Sequence, residues 1–296
     1  MSIKSVFVTG ISGYIGGTIA LKLRDRNYKV LGLVRRDTDE DQVRAAGIIP
    51  VRGDLRDRDA IASAVASCDA VIHAAESDDP VVAEMFLALL RGTGKTFIYT
   101  SGSAIVSNWT DPKTAEFVFT EDFPLKKQPL FENRMSINNA VLSSSMEGVR
   151  SVVIVPSMVY GVGLLLNRES KQIPMLIKTA EEKGFAVYVG DGRHSWSNIH
   201  VEDLADLYLA ALEKAKPGSY FFAENGLASF KEIAEAIHKK LGFDGQPVSL
   251  SPSEAIACWG EIMATVALGS NCRLNADKAR LFLEWKPKHA SVLPFI

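Results

Sequence analysis

The sequence predicts an α/β protein with a doubly wound parallel sheet and a smaller C-terminal lobe interleaved with it. Short β-branched runs alternate with segments of helical periodicity through the whole chain. Strands separated by helices imply parallel pairing through right-handed crossovers. The strand-like runs are also apolar along their length, which is expected when helices cover both faces of a sheet.

The first half of the chain supplies the larger share of the predicted strands. Apolar residues at Ile15, Ile19 and Leu23 give the first helix its periodicity. The predicted strands are Ser5–Thr9, Val30–Val34, Ile48–Val51, Ala70–Ala74 and Phe97–Ser101. The predicted helices are Tyr14–Arg26, Ala60–Ala66 and Pro80–Leu90.

The second half keeps the alternation with a looser spacing. A further strand is predicted at Ser151–Val155. The predicted helices are Asn138–Glu147, Ile173–Lys183, Asp203–Ala215, Phe230–Lys240 and Pro252–Ala267. Pro217-Gly218 and Pro287-Lys288 indicate turns rather than linkers, so we expect one continuous unit.

Composition and charge exclude several classes of partner. The 296 residues carry a formal net charge of −2, so the chain lacks the excess of positive charge that binds nucleic acid or an anionic membrane. No apolar run approaches the roughly 20 residues that span a bilayer, and the first residues lack a signal-peptide pattern. The three cysteines have no metal-ligand spacing. We therefore expect a cytoplasmic protein with reduced thiols and no metal.

A glycine-rich turn between the first strand and the first helix is the strongest functional signal. Glycines recur at Gly10, Gly13 and Gly16. They permit a tight turn whose backbone N–H groups approach a pyrophosphate at the helix N-terminus. An ordinary strand–helix turn is the alternative, but the later strand–helix units favour a Rossmann dinucleotide site. The predicted contacts on this turn are Gly10, Ser12, Gly13, Tyr14, Ile15 and Gly16.

The three-residue glycine spacing resembles the short-chain dehydrogenase/reductase superfamily, in its extended and atypical, epimerase/dehydratase-like branches. The resemblance continues in motifs that follow later strands and covers most of the chain. Those motifs are Gly53-Asp54-Leu55, residues 71–75, Tyr99-Thr100-Ser101-Gly102, residues 156–161 and residues 200–205. By resemblance, cofactor contacts are expected from Asp54, Leu55, Ala74, Ala75, Ser101 and Pro156. A homodimer is a further expectation from the family.

The resemblance also implies that different parts of the chain bind the cofactor and the substrate. Residues 1–156 are expected to form the dinucleotide-binding Rossmann domain. Residues 157–296 are expected to form mainly a substrate lobe, with residues 186–215 returning to the Rossmann domain.

The end of the second strand bears on the choice between NADP(H) and NAD(H). An acidic residue there would bind the adenosine ribose and repel a 2′-phosphate. Val34 occupies this place and is followed by Arg35 and Arg36, whose guanidinium groups suit a phosphate. A solvated basic turn is the alternative, and Asp37 with the acidic residues 39–41 argues the other way. We expect NADP(H) in preference to NAD(H).

The usual catalytic residues of the superfamily are a serine, a tyrosine and a lysine, and the resemblance places only the serine. Ser101 matches it, with Ser103 as an alternate. Asn133 and Ile137 stand where the Tyr-x-x-x-Lys pair is expected. Arg134 resembles an arginine found here in an atypical branch without the tyrosine. It suits the nicotinamide ribose, a substrate carboxylate or a developing oxyanion, and a helix-face pair with Glu132 or solvent contact is the alternative.

The loop after the sixth strand adds weaker catalytic candidates. Ser157 and Tyr160 are placed to approach the nicotinamide, although a packing role is the alternative for Tyr160. His200 is expected to position its loop rather than to act as a base. The catalytic candidates are therefore Ser101, Arg134 and Tyr160.

These features predict an NADP(H)-dependent oxidoreductase with a non-standard proton donor. Aromatic and apolar residues such as Trp109, Phe131, Met158 and Trp196 suggest a small or medium apolar carbonyl, imine or alcohol substrate. One alternative is a non-redox epimerase, dehydratase or isomerase that retains its cofactor. The other is a non-catalytic NADP(H) sensor, which the loss of the tyrosine and lysine motivates.

Overall fold

The computed structural model describes residues 3–107, 116–124 and 128–296, and a seven-stranded parallel sheet forms its centre. The strand order is β11-β7-β5-β4-β1-β2-β3. The strands are β1 (Ser5–Thr9), β2 (Lys29–Val34), β3 (Ile49–Arg52), β4 (Ala70–His73), β5 (Thr96–Thr100), β6 (Val118–Phe119), β7 (Arg150–Pro156), β8 (Met158–Tyr160), β9 (Val187–Val189), β10 (Ser195–His200), β11 (Ser219–Ala223), β12 (Leu227–Ser229), β13 (Val248–Leu250) and β14 (Arg273–Leu274). The predicted doubly wound parallel sheet is confirmed.

Helices connect the parallel strands and cover both faces of the sheet. They are α1 (Tyr14–Asp25), α2 (Asp37–Ala45), α3 (Arg58–Ala66), α4 (Pro80–Leu90), α5 (Glu132–Ser143), α6 (Gln172–Lys183), α7 (Val201–Lys214), α8 (Phe230–Lys240), α9 (Pro252–Trp259) and α10 (Asp277–Leu283). One face of the sheet packs with α1, α2, α7 and α10, and the other packs with α3, α4 and α5.

The alternation of side chains along each strand divides the core into two layers. In β1, Val6 and Val8 lie in the layer with α1 and α7, whereas Phe7 lies in the layer with α3 and α4. Successive residues of a strand point to opposite faces, so an apolar strand buries its side chains on both. All three side chains are fully buried, which explains why the strands show no polar alternation.

The second half of the chain contributes to the central sheet as well as to the smaller sheets. Strand β11 pairs with β7, and α7 packs against α1, where Lys22 bridges to Asp206 at 3.1 Å. In the smaller sheets, β10 pairs with both β12 and β8, β13 pairs with β9, and β14 pairs with β6.

Two of the predicted helices differ by more than two residues in their bounds, and two helices, α2 and α10, were not predicted. The predicted helix at Pro252–Ala267 is wrong in its second half, because α9 ends before Gly260 (φ 80°) and a π-helical turn follows at Met263–Ala267. The helix predicted at Asn138–Glu147 begins six residues earlier as α5 and ends in a 3-10 turn. Helix α2 was missed because its acidic sequence has little apolar periodicity.

The helices were also compared with the length and hydropathy that a membrane span requires. None of those in the described ranges combines enough length with enough apolar character to cross a bilayer.

Candidate cofactor and active site

The glycine turn between β1 and α1 is pressed against the end of β4. Gly10 has φ 73°, and a Cβ there would lie 2.4 Å from the Ala74 carbonyl oxygen. A Cβ on Gly16 would lie 2.4 Å from the Gly10 carbonyl oxygen, which also accepts the Gly13 N–H at 2.8 Å. Within the described residues, no side chain caps α1. The N–H groups of its first turn therefore remain available to a ligand.

A cavity of about 630 Å³ opens beside this turn. It is bounded by the turn, the end of β2, the loop after β3 and the end of β4. Nine of the predicted cofactor contacts line it, namely Gly10, Ser12, Gly13, Arg35, Arg36, Asp54, Leu55, Ala74 and Ala75. Residues from four separate segments of the sequence thus meet at one edge of the sheet, where parallel α/β sheets bind their ligands.

The other predicted cofactor contacts lie outside the lining of this cavity. The Tyr14 hydroxyl donates to the Gly161 carbonyl at 2.9 Å, and Ile15 packs with the core on the α1 side. Gly16 packs against Gly10. Pro156 ends β7 and Ser101 follows β5, both at the carboxyl edge of the sheet. Ser101 and Pro156 therefore lie on the side of β4 that faces away from β1 and β2 in the strand order.

An acidic residue that was not among the predicted contacts lines the cavity. Asp39 lies in the first turn of α2 and receives the Arg36 guanidinium at 2.9 Å and 3.1 Å. Burial alone would raise the pKa of Asp39, but the neighbouring Ser12 hydroxyl, the hydrogen bond from Arg36 and the charges of Arg36 and Arg35 hold that pKa below its usual range. The acidic residues 39–41 are evident in the sequence. Which of their side chains faces the cavity depends on where α2 begins. Leu33, Arg56 and Glu76 complete the additional lining.

His73 fixes the end of β4 beside the glycine turn. Its Nδ1 lies 2.8 Å from the Thr9 hydroxyl, and its Nε2 lies 2.8 Å from the Glu76 carbonyl oxygen. Burial lowers the pKa of His73 to about 4, so the ring is neutral at physiological pH. Because Nε2 faces a carbonyl, we assign the proton to Nε2 and the acceptor role to Nδ1. The histidine therefore joins two strands and does not serve as a base.

Two buried hydroxyl groups mark the other end of the site. Ser101 and Ser157 follow the neighbouring strands β5 and β7, and the backbone N–H of Ser101 donates to Ile154 at 2.8 Å. Both Oγ atoms are buried and make no hydrogen bond in the part of the chain that the structure describes. Unpartnered buried hydroxyls are costly. These two therefore fit a site whose ligand supplies the missing partners.

Arg134 lies against Gly102, the residue after Ser101, and is held by a carboxylate from another loop. Its Nε donates to Asp78 at 2.8 Å, and its Nη2 contacts the second oxygen of Asp78. A Cβ on Gly102 would lie 3.0 Å from its Nη1, and the guanidinium is 5.4 Å from the Phe131 ring centroid. The ion-pair partner is therefore Asp78, on the loop between β4 and α4, and not Glu132.

The two positions of the missing tyrosine and lysine have contrasting surroundings. Asn133 is exposed in the first turn of α5. Ile137 is 3% exposed and belongs to the apolar core beneath that helix. Apolar contacts thus fill the place where the resemblance implies a cation.

Tyr160 and His200 are engaged with neighbouring segments. The Tyr160 hydroxyl donates to the His289 carbonyl at 3.2 Å, and its ring packs against Phe295. His200 Nδ1 accepts the Glu202 N–H at 3.3 Å and so caps α7. The geometry favours the packing alternative for Tyr160 and the positioning role for His200.

The structure describes three of the four aromatic and apolar residues that were predicted to contact the substrate. Phe131, Met158 and Trp196 are buried. Trp109 lies outside the described residues.

Comparison with known proteins agrees with this geometry. The model of the NAD dependent epimerase/dehydratase family matches residues 6–221. The chain belongs to this family. Members of the family bind a nicotinamide cofactor, and this chain is accordingly NAD(P)-binding. It is similar to oxidoreductases.

Relatives of this family member include proteins of known and unknown activity. An uncharacterised protein of Schizosaccharomyces pombe is 33% identical, over 97% of this chain and 96% of its own length. The 4-hydroxy-2-methyl-3-oxo-4-farnesyl-3,4-dihydroquinoline-1-oxide ketoreductase of Stigmatella aurantiaca is 27% identical, over 93% of this chain and 89% of its own length. A UDP-glucose 4-epimerase structure from Thermotoga maritima has a TM-score of 0.77 at 18% identity, over 98% of this chain and 95% of that one.

Gly13→Val should abolish cofactor binding and leave the protein folded. Gly13 has φ −88°, which any residue adopts, and its Cβ would lie 3.0 Å from the Gly10 carbonyl oxygen. The added methyl groups would instead occupy the space that a pyrophosphate needs. Calorimetry with NADPH and a thermal melt measure the two effects separately.

Gly10→Ala is the matched comparison, because positive φ and the Ala74 contact should make it lower the thermal midpoint as well. Unchanged NADPH affinity in folded Gly13→Val would contradict the assignment of the turn.

Proposed function

We propose that the protein is an NADP(H)-dependent oxidoreductase that reduces a small or medium apolar ketone, or runs the reverse oxidation, with a non-standard proton donor. The observation that carries the proposal is the pair of unpartnered, buried hydroxyls of Ser101 and Ser157. They lie at the same sheet edge as the nucleotide cavity. A carbonyl oxygen is a group that can accept a hydrogen bond from a serine hydroxyl.

A relative of known activity supports the redox assignment. The Stigmatella aurantiaca protein is a ketoreductase whose substrate name specifies a 3-oxo group and a farnesyl chain. Transferred to this chain, that activity implies an apolar substrate with a reducible ketone. The buried Phe131, Met158 and Trp196 suit such a molecule.

The cofactor preference rests on the arginines at the end of β2. Arg35 and Arg36 line the cavity. Arg36 uses its Nε and one Nη2 hydrogen on Asp39, which leaves its remaining N–H groups for a 2′-phosphate. NADP(H) is the proposed cofactor, and NAD(H) is the weaker alternative.

The residues near Ser101 divide the chemistry of ketone reduction among them. When bound, NADPH supplies the hydride that reaches the carbonyl carbon. Ser101 would donate a hydrogen bond to the carbonyl oxygen, and Ser157 would pass to that oxygen a proton that water replaces, so that the alkoxide becomes the alcohol. Arg134 stabilises the negative charge that develops on the oxygen, as preorganised donors do in other enzymes. Asp78 positions the guanidinium for this role.

The test is the consumption of NADPH by purified protein with a panel of apolar ketones, among them 3-oxo compounds. Turnover with equal amounts of NADPH oxidised and alcohol formed supports the proposal. Binding of NADPH without turnover across the panel would contradict it. That result would instead favour the sensor, the second candidate, which the buried Ile137 in place of a catalytic lysine supports.

Replacing Arg35 and Arg36 together by Ala should weaken NADPH binding much more than NADH binding. Each charge-assisted phosphate contact that is lost should cost about 1.5–3 kcal/mol. The dissociation constants of both cofactors from calorimetry give the comparison. Arg44→Ala is the control, because Arg44 lies on α2 and pairs with Glu40 away from the cavity. Equal losses for the two cofactors would show that these arginines do not contact the 2′-phosphate.

Arg134→Ala should lower turnover by roughly tenfold to a thousandfold, with little change in NADPH affinity. Arg134→Lys should rescue poorly, since an ammonium lacks the planar fork that Asp78 holds. The measurements are kcat, KM and the NADPH dissociation constant. Arg91→Ala serves as a matched control, because it also breaks an arginine–carboxylate pair, with the exposed Glu147. Turnover near that of the wild type in Arg134→Ala would remove the residue from the mechanism.

A further inference from the structure

A buried carboxylate stands in the nucleotide cavity close to the proposed phosphate contacts. Asp39 is the third residue of α2, five positions after β2 ends at Val34. Its side chain is 6% exposed, whereas that of its partner Arg36 is 72% exposed. The carboxylate therefore lies on the inner side of the guanidinium.

Two features keep Asp39 ionised in this place. Arg36 donates to it through Nε at 3.1 Å and contacts its second oxygen through Nη2 at 2.9 Å. The N-terminus of α2 also stabilises an acidic side chain in its first turn. These interactions lower the pKa of Asp39 in spite of its burial.

The same interactions reduce what the cavity can offer an anion. The Arg36 Nε hydrogen is already donated to Asp39, so it is not free for a bound anion. The charges that line the cavity also balance, because Arg35, Arg36 and Arg56 face Asp39, Asp54 and Glu76. A 2′-phosphate oxygen bound to Arg36 would lie within roughly 6 Å of the Asp39 carboxylate.

We propose that Asp39 sets the cofactor selectivity by limiting the affinity for a 2′-phosphate. The inference rests on the proposed NADP(H) site and concerns its selectivity. The carboxylate repels the dianionic 2′-phosphate while Arg35 and Arg36 attract it. A 2′-hydroxyl meets no such repulsion and can donate to the carboxylate or to Ser12. The site consequently accepts both cofactors, and its preference for NADP(H) is smaller than two arginines alone would give.

Asp39→Asn tests the charge at nearly constant shape. The amide oxygen can still accept from Ser12 and Arg36, but the negative charge is gone. The probes are adenosine 2′,5′-bisphosphate and adenosine 5′-monophosphate, which differ in the 2′-phosphate alone, titrated by calorimetry at low ionic strength. The ratio of their affinities should shift about fivefold to twentyfold toward the bisphosphate. Most of the change should come from tighter bisphosphate binding.

Asp37→Asn is the matched control. It removes the same charge from the same helical turn, but Asp37 is 90% exposed, pairs with Arg52 and does not line the cavity. Its affinity ratio should stay within about twofold of the wild type, because solvent screens an exposed charge. Asp39→Glu keeps the charge and should also keep the wild-type ratio.

An unchanged ratio in Asp39→Asn, or one shifted toward the monophosphate, would overturn the inference and leave Asp39 as a residue that only positions Arg36. Should Asp39→Asn not fold, as judged by circular dichroism, Asp39→Ser makes the same comparison. Failure of the wild type to bind either nucleotide would overturn the proposed cofactor site itself. The two failures are therefore distinguishable.

Discussion

The site depends on a backbone contact that leaves no room for a side chain at residue 10. The Gly10 backbone touches the Ala74 carbonyl at the end of β4, and its own carbonyl receives Gly13 and lies against Gly16. Any Cβ at residue 10 or 16 would separate these segments. The contact sets the start of α1, and with it the direction in which the first N–H groups of that helix point. The nucleotide cavity beside β4 follows from this arrangement.

Two arginines of the candidate site are already bound to carboxylates. Arg36, which lines the cavity, is held by Asp39, and Arg134, which lies against Gly102, is held by Asp78. An arginine fixed in this way loses less conformational entropy when a ligand arrives. The same carboxylate competes with an anionic ligand for the guanidinium. A ligand therefore meets a guanidinium group that is already oriented, but the carboxylate has offset part of its positive charge.

The glycine turn and most of the central strands were predictable because their signals are local. Gly10, Gly13 and Gly16 carry the turn within seven residues, and each strand is an apolar run. The roles of Asp39 and Asp78 were not predictable, because each depends on where a helix begins and on a partner in another segment. The end of α9 before Gly260 was missed although its signal is local, because a glycine with positive φ commonly ends a helix.

The unpartnered hydroxyls of Ser101 and Ser157 have a consequence for the range of compounds that the protein can distinguish. An apolar wall discriminates weakly between carbon skeletons, since an added or missing methylene changes binding by only about 1–3 kcal/mol. A deoxygenated analogue, in contrast, leaves two buried hydroxyls without partners and is rejected far more strongly. Under the proposed function, the protein should therefore tolerate varied hydrocarbon frameworks while requiring an oxygen atom that accepts from these serines.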